Sequence, residues 1–212
     1  MKLIYFMQQF LFNENEIGID EAGRGPLCGN VYAGAVIWNK DLVPPQGLIT
    51  DSKKLSKKKR KLAFEWIITN VKYFGIGYAT NEEIDNINIL EATKLAMDRA
   101  IDNLKVKLEL DGKHLSNNFI IDGVGWEKKF SGFNVKSIVK GDSKFLSIAA
   151  ASILAKETHD EHINDLCKKD TTLVEKYRLD SNMGYGSKSH IDGIKKYGLS
   201  QYHRKSFKVK GL

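Results

Sequence analysis

Residues 17–25, with the sequence IGIDEAGRG, constrain this chain more than any other stretch. A short apolar run stops at two adjacent carboxylates, Asp20 and Glu21, and an arginine between two glycines follows. Glycine accepts positive φ and lets a ligand approach the backbone closely, so this turn suits a phosphate. Mg²⁺ prefers carboxylate oxygens and often shares its coordination shell with substrate phosphates. The stretch indicates metal-dependent phosphodiester chemistry, although an Asp-Glu pair before a glycine turn is also typical of a solvated loop.

The charge of the chain favours an anionic partner. Lys and Arg number 33 against 26 Asp and Glu, which gives a net charge of +7. Such an excess suits nucleic acid or an anionic membrane surface and does not decide between them. The 212 residues fit one domain with an ample core, or one domain with an appendage.

Cysteine usage and the N-terminus point to a cytoplasmic protein. Cys28 and Cys167 lack metal-finger spacing, so we expect reduced thiols. No apolar run has the roughly 20 residues of a membrane span. Residues 1–12, MKLIYFMQQFLF, resemble the start of a signal peptide, but two glutamines interrupt the run and no small-residue cleavage site follows. We interpret residues 1–15 as an extension that packs on the domain.

Hydrophobic periodicity predicts a mixed α/β domain. Apolar runs rich in β-formers predict five strands, at residues 17–20, 31–38, 72–79, 119–123 and 133–140. The first two strands are close enough in sequence to form an antiparallel pair. Helical spacing and capping residues predict helices over residues 57–70, 81–104, 147–167 and 189–197, with a polar connection over 105–117. One sheet flanked by helices is the architecture that this order favours.

A basic cluster, KKKRK at residues 57–61, opens the first predicted helix. The helix dipole favours acidic residues there, so the cluster costs stability. Either a phosphate partner or a simple solvated face explains it.

Four carboxylates stand at or just after the ends of predicted strands: Asp20, Glu21, Asp122 and Asp142. Ligands of open α/β sheets collect at such edges. Four converging carboxylates repel one another unless divalent cations neutralise them, and two ions about 4 Å apart can bind both oxygens of an in-line displacement. Because consecutive strand residues point to opposite faces, Asp20 and Glu21 share a site only if the strand ends or twists there.

His159 and His162 are three residues apart on a predicted helix, a spacing that can bind zinc. No further ligand set accompanies them, so we interpret them as part of a helix surface.

Five stretches, in order, make a family resemblance specific. The chain resembles the ribonuclease HII family between residues 17 and 190, through GIDEAGRGPLCG, DSKKLS, IIDG, VKGDSKFLSIAAASILAK and GYGSKSH. The resemblance implies a single RNase H-like catalytic domain over residues 1–212, with a mixed five-stranded sheet flanked by helices. It also implies a C-terminal helical part from about residue 170.

The resemblance implies an endoribonuclease that cuts the RNA strand of RNA–DNA hybrids. It further implies incision of DNA 5′ to a single embedded ribonucleotide, leaving 3′-hydroxyl and 5′-phosphate ends, in ribonucleotide excision repair and RNA primer removal. Carried over by motif, Asp20, Glu21, Asp122 and Asp142 hold two Mg²⁺ or Mn²⁺ ions. We expect a monomer whose partner is nucleic acid.

The same resemblance assigns the residues that contact substrate. The loop of Gly23, Arg24 and Gly25 resembles the family's contact with the ribose 2′-hydroxyl and neighbouring phosphates. Tyr185 of GYGS resembles the tyrosine that stacks at the ribonucleotide, a reasonable task for an aromatic ring on a glycine-flanked turn. Three lysines are further candidates for phosphate contacts: Lys53, Lys54 and Lys144.

Two positions depart from the family pattern. Met183 precedes the Gly-Tyr pair where relatives often have a polar or basic residue, which predicts a weaker local phosphate contact. Cys28 replaces a small residue, and we expect it to pack like one.

Two other functions are compatible with parts of the sequence. A junction resolvase of RNase H-like fold would share the acids but not the 2′-hydroxyl check. A basic nucleic-acid-binding module would carry the acids as structural residues, which the complete set of four disfavours.

Overall fold

The structure, a computed structural model, describes residues 7–13 and 15–209. Five strands form one sheet in the order β3-β2-β1-β4-β5: β1 (Ile17–Ala22), β2 (Val31–Ile37), β3 (Tyr73–Ala79), β4 (Asn118–Asp122) and β5 (Asn134–Ile138). β2 is antiparallel to both β1 and β3, whereas β4 is parallel to both β1 and β5. The predicted mixed five-stranded sheet, including the antiparallel first pair, is therefore confirmed.

Six helices surround the sheet in the described part of the chain: α1 (Lys57–Asn70), α2 (Asn81–Leu110), α3 (Leu146–Lys169), α4 (Thr172–Tyr177), α5 (Leu179–Asn182) and α6 (Lys188–Tyr197). Alternation along β1 sends Ile17 and Ile19 to the core beneath α2. α1 and α3 pack on the opposite face with Val36 and Trp38. No helix among the described residues is long and apolar enough to cross a membrane.

Helix α2 is longer than its sequence predicts. The predicted polar connection over residues 105–117 is wrong at its start, because the helix continues to Leu110 and buries Leu108 in the core. Within α2, Asn88 has φ 68° and ψ 164°, and its Oδ1 accepts hydrogen bonds from the N–H groups of Leu90 and Glu91. Asn88 therefore interrupts the helix and caps the part that follows.

Helix α3 lies very close to the sheet because glycine and alanine line the contact. A Cβ at Gly18 would lie 2.3 Å from Ser147 Oγ, and one at Gly34 would lie 2.5 Å from the Ala151 carbonyl oxygen. The close packing expected from the small residues of α3 is confirmed, and it brings that helix against the strand that carries Asp20.

The chain ends pack on this framework. Residues 1–6 and 14 of the predicted N-terminal extension lie outside the described residues. Gln8 pairs with Phe145 in a parallel bridge and accepts a hydrogen bond from the Leu146 N–H at 3.0 Å. At the other end, α4, α5 and α6 pack around Cys28 and the last turns of α3. Cys28 thus fills an apolar position, as expected.

Candidate active site

Asp20 faces helix α3 from within β1. Its side chain is only 5% exposed, its Oδ1 accepts a hydrogen bond from the Glu21 N–H at 2.7 Å, and Ser152 of α3 lies beside it. Ser152 Oγ in turn lies 2.8 Å from Ser52 Oγ, so the DSKKLS loop and α3 meet beside the carboxylate. Burial, followed by the charges of Glu21 and Asp122, raises the pKa of Asp20 well above its ordinary value.

Glu21 follows Asp20 one residue before β1 ends, and it lines the same cavity as Ser152 of α3, so the end of the strand lets both acids reach one site. Arg24 Nη1 donates to its Oε1 at 3.1 Å, whereas its Oε2 is buried and has no hydrogen-bond partner within the described residues. Burial raises the pKa of Glu21 more than the Arg24 guanidinium lowers it. An unpartnered buried carboxylate oxygen is unfavourable unless a ligand completes it.

Asp122 and Asp142 come together at the end of β4. The Gly141 N–H donates to Asp122 Oδ1 at 2.6 Å, which brings the short 3-10 turn Gly141–Ser143 to the strand end. Asp142 is buried in that turn. Burial, together with the charges of Asp51 and Asp122, raises the pKa of Asp142 to about 6.

The four predicted acids are electrostatic neighbours at one edge of the sheet. The Asp122 charge raises the pKa of each of the other three acids, so Asp20, Glu21 and Asp142 each lie near Asp122. In the part of the chain that the structure describes, no three carboxylate, imidazole or thiolate groups are gathered tightly enough to enclose an ion by themselves. A divalent cation nevertheless fits, because the donors are hard oxygens, they repel one another, and one buried oxygen lacks a partner.

A cavity of about 460 Å³ opens beside these acids. It is lined by Glu21, Ala22, Gly23, Arg24, Gly25, Ser52, Lys53, Ser152, Lys156 and Tyr185. The predicted loop and the predicted tyrosine therefore share one cavity, and a Cβ at Gly25 would lie 3.5 Å from the Tyr185 ring. Gly23 has φ +90°, and a Cβ there would lie 2.5 Å from His159 Cδ2, so only glycine fits.

The three predicted lysines are placed differently. Lys53 lines the cavity. Lys54 is exposed and lies 3.8 Å from Asp51, and Lys144 Nζ donates to the Val139 carbonyl at 2.7 Å. Of the three, the structure brings only Lys53 to the cavity.

Comparison with known proteins decides the family. The family model described as Ribonuclease HII matches residues 17–210. The chain belongs to the ribonuclease HII family. It is 47% identical over 207 residues to ribonuclease HII of Rickettsia akari, covering 97% of each chain. It is 45% identical over 196 residues to that of Staphylococcus saprophyticus, covering 92% of this chain and 70% of that protein.

The fold agrees with that assignment. Ribonuclease H2 from Pyrococcus horikoshii superposes with a TM-score of 0.67 at 26% identity, covering 91% of this chain and 93% of that one. The sequence resemblance is thus confirmed, and the chain is a ribonuclease H endonuclease.

Two residues that line the cavity were not predicted from the sequence. Lys156 lines it, with Nζ 5.3 Å from the centre of the Tyr185 ring and 2.7 Å from Asp160 Oδ1. Ser152 lies one turn earlier on the same helix. Polar residues four apart in SIAAASILAK share a helix face, and that spacing was a usable signal of a polar stripe against the site.

The positions of His159 and Arg60 differ from those predicted from the sequence. His159 is fully buried rather than on a helix surface, because the loop at Gly23 and the Tyr32 ring cover it. Its Nδ1 lies 3.0 Å from Asp160 Oδ1. Arg60, taken as part of the basic cluster, is buried and donates to Glu157 and Asp160, each at 2.7 Å.

Proposed function

We propose that this chain cleaves the RNA strand of RNA–DNA hybrids and incises DNA duplexes 5′ to a single embedded ribonucleotide. The products carry 3′-hydroxyl and 5′-phosphate ends. One observation carries the proposal: the sheet edge where Asp122 lies near the other three acids adjoins the cavity lined by the glycine loop and Tyr185. A phosphate beside the carboxylates thus has its sugar in reach of the loop.

Asp20, Glu21, Asp122 and Asp142 would hold two divalent ions, Mg²⁺ or Mn²⁺. When bound, such ions neutralise phosphate charge and lower the pKa of water to near neutrality. The protein's own contribution is orientation. The Glu21 N–H donates to Asp20 Oδ1 at 2.7 Å and the Gly141 N–H donates to Asp122 Oδ1 at 2.6 Å, so backbone groups orient both carboxylates at the sheet edge.

The loop and the tyrosine read the sugar. Gly23 and Gly25 carry no side chain, so a ribose can approach the backbone of the loop within hydrogen-bonding distance. The Tyr185 ring stacks at the ribonucleotide, while Lys53 and Lys156 bring positive charge to the phosphates. Lys54 and Lys144 act on phosphates farther from the cavity. Because the 2′-hydroxyl distinguishes RNA from DNA, base identity has little influence.

In the cell this activity serves ribonucleotide excision repair and removal of RNA primers. The chain acts as one catalytic domain over residues 1–212 and as a monomer in the cytoplasm. Its partner is nucleic acid, as its net charge of +7 favours.

Cleavage of a labelled RNA–DNA hybrid, in Mg²⁺ or Mn²⁺ and in EDTA, tests the reaction class. We expect cutting of the RNA strand alone, abolished by EDTA, whereas Asp20→Asn should bind the hybrid without cutting it. Asp102→Asn, at an exposed position on α2, is the matched control and should cut like the wild type. Hybrid binding without turnover by the wild type would contradict the proposal.

A further inference from the structure

The loop after β1, residues 23–30, is held by a guanidinium group from the other end of the chain. Arg204 is 1% exposed, and all five of its N–H donors meet backbone carbonyl oxygens of this loop. Nε donates to Gly29 at 2.9 Å, Nη1 to Arg24 at 3.0 Å and to Pro26 at 2.7 Å, and Nη2 to Gly23 at 2.6 Å and to Asn30 at 3.1 Å.

This arrangement fixes which groups the loop presents to the cavity. The carbonyls of Gly23 and Arg24 turn towards Arg204, whereas the N–H groups of residues 23, 24 and 25 make no hydrogen bond within the described part of the chain. These residues line the cavity beside Glu21. Free N–H groups there suit phosphate or hydroxyl oxygens.

The segment before Arg204, residues 200–203, also positions the turn that carries Tyr185. The Ser200 N–H donates to His203 Nδ1 at 3.0 Å, so His203 carries its proton on Nε2 and donates to His190 Nε2 at 2.9 Å. His190 Nδ1 therefore donates to the Tyr185 carbonyl at 3.0 Å. The Leu27 N–H, which donates to the Gly184 carbonyl at 2.8 Å, joins the turn to the loop.

We propose that Arg204 is a positioning residue for ribose recognition, because its guanidinium sets the conformation in which the N–H groups of Gly23, Arg24 and Gly25 reach the substrate. The inference rests on the proposed function of that loop. Lysine cannot replace Arg204, since an ammonium has three donors instead of a planar set of five. Burial lowers the pKa of Arg204 to about 10, which leaves the side chain charged at neutral pH.

The test compares wild type, Arg204→Lys and, as matched control, Lys205→Gln at the exposed neighbouring position. Thermal melting reports folding, calorimetry with Mn²⁺ alone reports the carboxylate site, and incision of a DNA duplex with one ribonucleotide reports recognition. We expect Arg204→Lys to fold and to bind Mn²⁺ like the wild type. Its kcat/KM for incision should fall about 100-fold, mostly through kcat, because a displaced loop misplaces the substrate at the reacting groups. Lys205→Gln should behave like the wild type.

Three outcomes would overturn the inference. Folded Arg204→Lys that incises like the wild type shows that the guanidinium is dispensable. Loss of Mn²⁺ binding in step with activity shows a purely structural role. A wild type that cuts hybrids but fails at a single ribonucleotide refutes the ribose-reading loop and the inference together, whereas the first two outcomes leave the proposed function standing.

If Arg204→Lys does not fold, nuclear magnetic resonance of the wild type decides. We expect separate, slowly exchanging signals from the Arg204 guanidinium protons. These signals should persist when duplex is added with Ca²⁺ in place of Mg²⁺, while the amide signals of residues 23–25 shift. Averaged, rapidly exchanging guanidinium signals would overturn the inference.

Discussion

At the scale of single residues, the site consists of buried carboxylates whose negative charges are energetically unfavourable in that environment. Asp20 is buried beside two other carboxylates, and Glu21 keeps one oxygen without a partner in the described structure. Both groups have raised pKa values, which is the direction that burial and like charges impose on an acid. The proposed cation site accounts for these raised pKa values, because a bound divalent cation would stabilise the ionised carboxylates.

Replacing Asp20 with asparagine should separate stability from activity. We expect Asp20→Asn to lower cleavage by at least about 100-fold, the upper range seen for groups that only support a metal ligand. In EDTA the variant should melt no lower than the wild type, because one of the repelling charges is gone. Differential scanning calorimetry and hybrid cleavage measure the two effects. Wild-type cleavage by a folded Asp20→Asn would contradict the metal assignment.

Tyr185 should matter most where a single ribose must be recognised. We expect Tyr185→Ala to lose about 10-fold or more at a single ribonucleotide, since stacking on an aromatic ring is worth about 1–3 kcal/mol per base. Cutting of a uniform hybrid should fall less, because neighbouring ribonucleotides offer alternative positions. Tyr197→Ala, at an exposed tyrosine of α6, is the control. Equal losses on both substrates would remove the proposed role at the junction.

At the scale of elements, helix α3 connects the core to the site. Alanines in its first turns pack against the sheet. On one face of the helix, Ser152 lies beside Asp20 and Lys156 lines the cavity. Further along, Asp160 binds Arg60 of α1, so α1 is anchored through a buried ion pair rather than through its lysines. Arg60→Gln would leave the buried Glu157 without its charge partner among the described residues, whereas Asp160 would keep Lys156.

The lysines at the start of α1 are candidates for contacts with the phosphates of the nucleic-acid backbone. Lys57, Lys58 and Lys61 are exposed at the N-terminal end of that helix. We expect the triple replacement by glutamine to weaken hybrid binding and to reduce the slope of log K against log salt by about 2–3, since each lost phosphate contact removes about 0.9. Titrations at several salt concentrations measure the slope, with Lys105→Gln on α2 as control. An unchanged slope would show that the cluster is a solvated face.

The sequence was sufficient for the parts of the site that depend on local pattern. Apolar runs that end at Asp122 or at Gly141 and Asp142 reveal strand ends by themselves, and the order of motifs identifies the loop and Tyr185. Contacts between distant segments were not predictable in this way. Arg204 and Gly23 are 181 residues apart, and nothing in a basic tail distinguishes a buried guanidinium from an exposed one. His159 likewise appears exposed until the Gly23 loop is placed over it.

At the scale of the whole molecule, buried histidines and buried acids give the stability opposite dependences on pH. Burial and the neighbouring His190 lower the pKa of His203 to about 4. Between about pH 6.5 and 4 the unfolded chain therefore binds a proton that the folded chain does not, so this contribution to stability is lost as pH falls. The raised pKa values of Asp20 and Asp142 act in the opposite direction.

The histidine effect is accordingly measured as a difference. We expect the free energy of unfolding of the wild type minus that of His203→Gln to shrink by about 1–3 kcal/mol between pH 7 and pH 4, since each pKa unit corresponds to about 1.4 kcal/mol. Urea titrations at several pH values give these energies. His114→Gln, at an exposed position, should leave the pH dependence unchanged. A difference that stays constant with pH would contradict a neutral, buried His203.

If one site both recognises a ribose and cuts beside it, a DNA duplex that contains one ribonucleotide is the decisive substrate. We would map its cleavage products with Mg²⁺ and with EDTA. We expect a single nick 5′ to the ribonucleotide, with a 3′-hydroxyl and a 5′-phosphate, and none in EDTA or in an all-DNA duplex. Cutting of the all-DNA duplex, or no nick at the ribonucleotide despite cleavage of hybrids, would contradict this expectation.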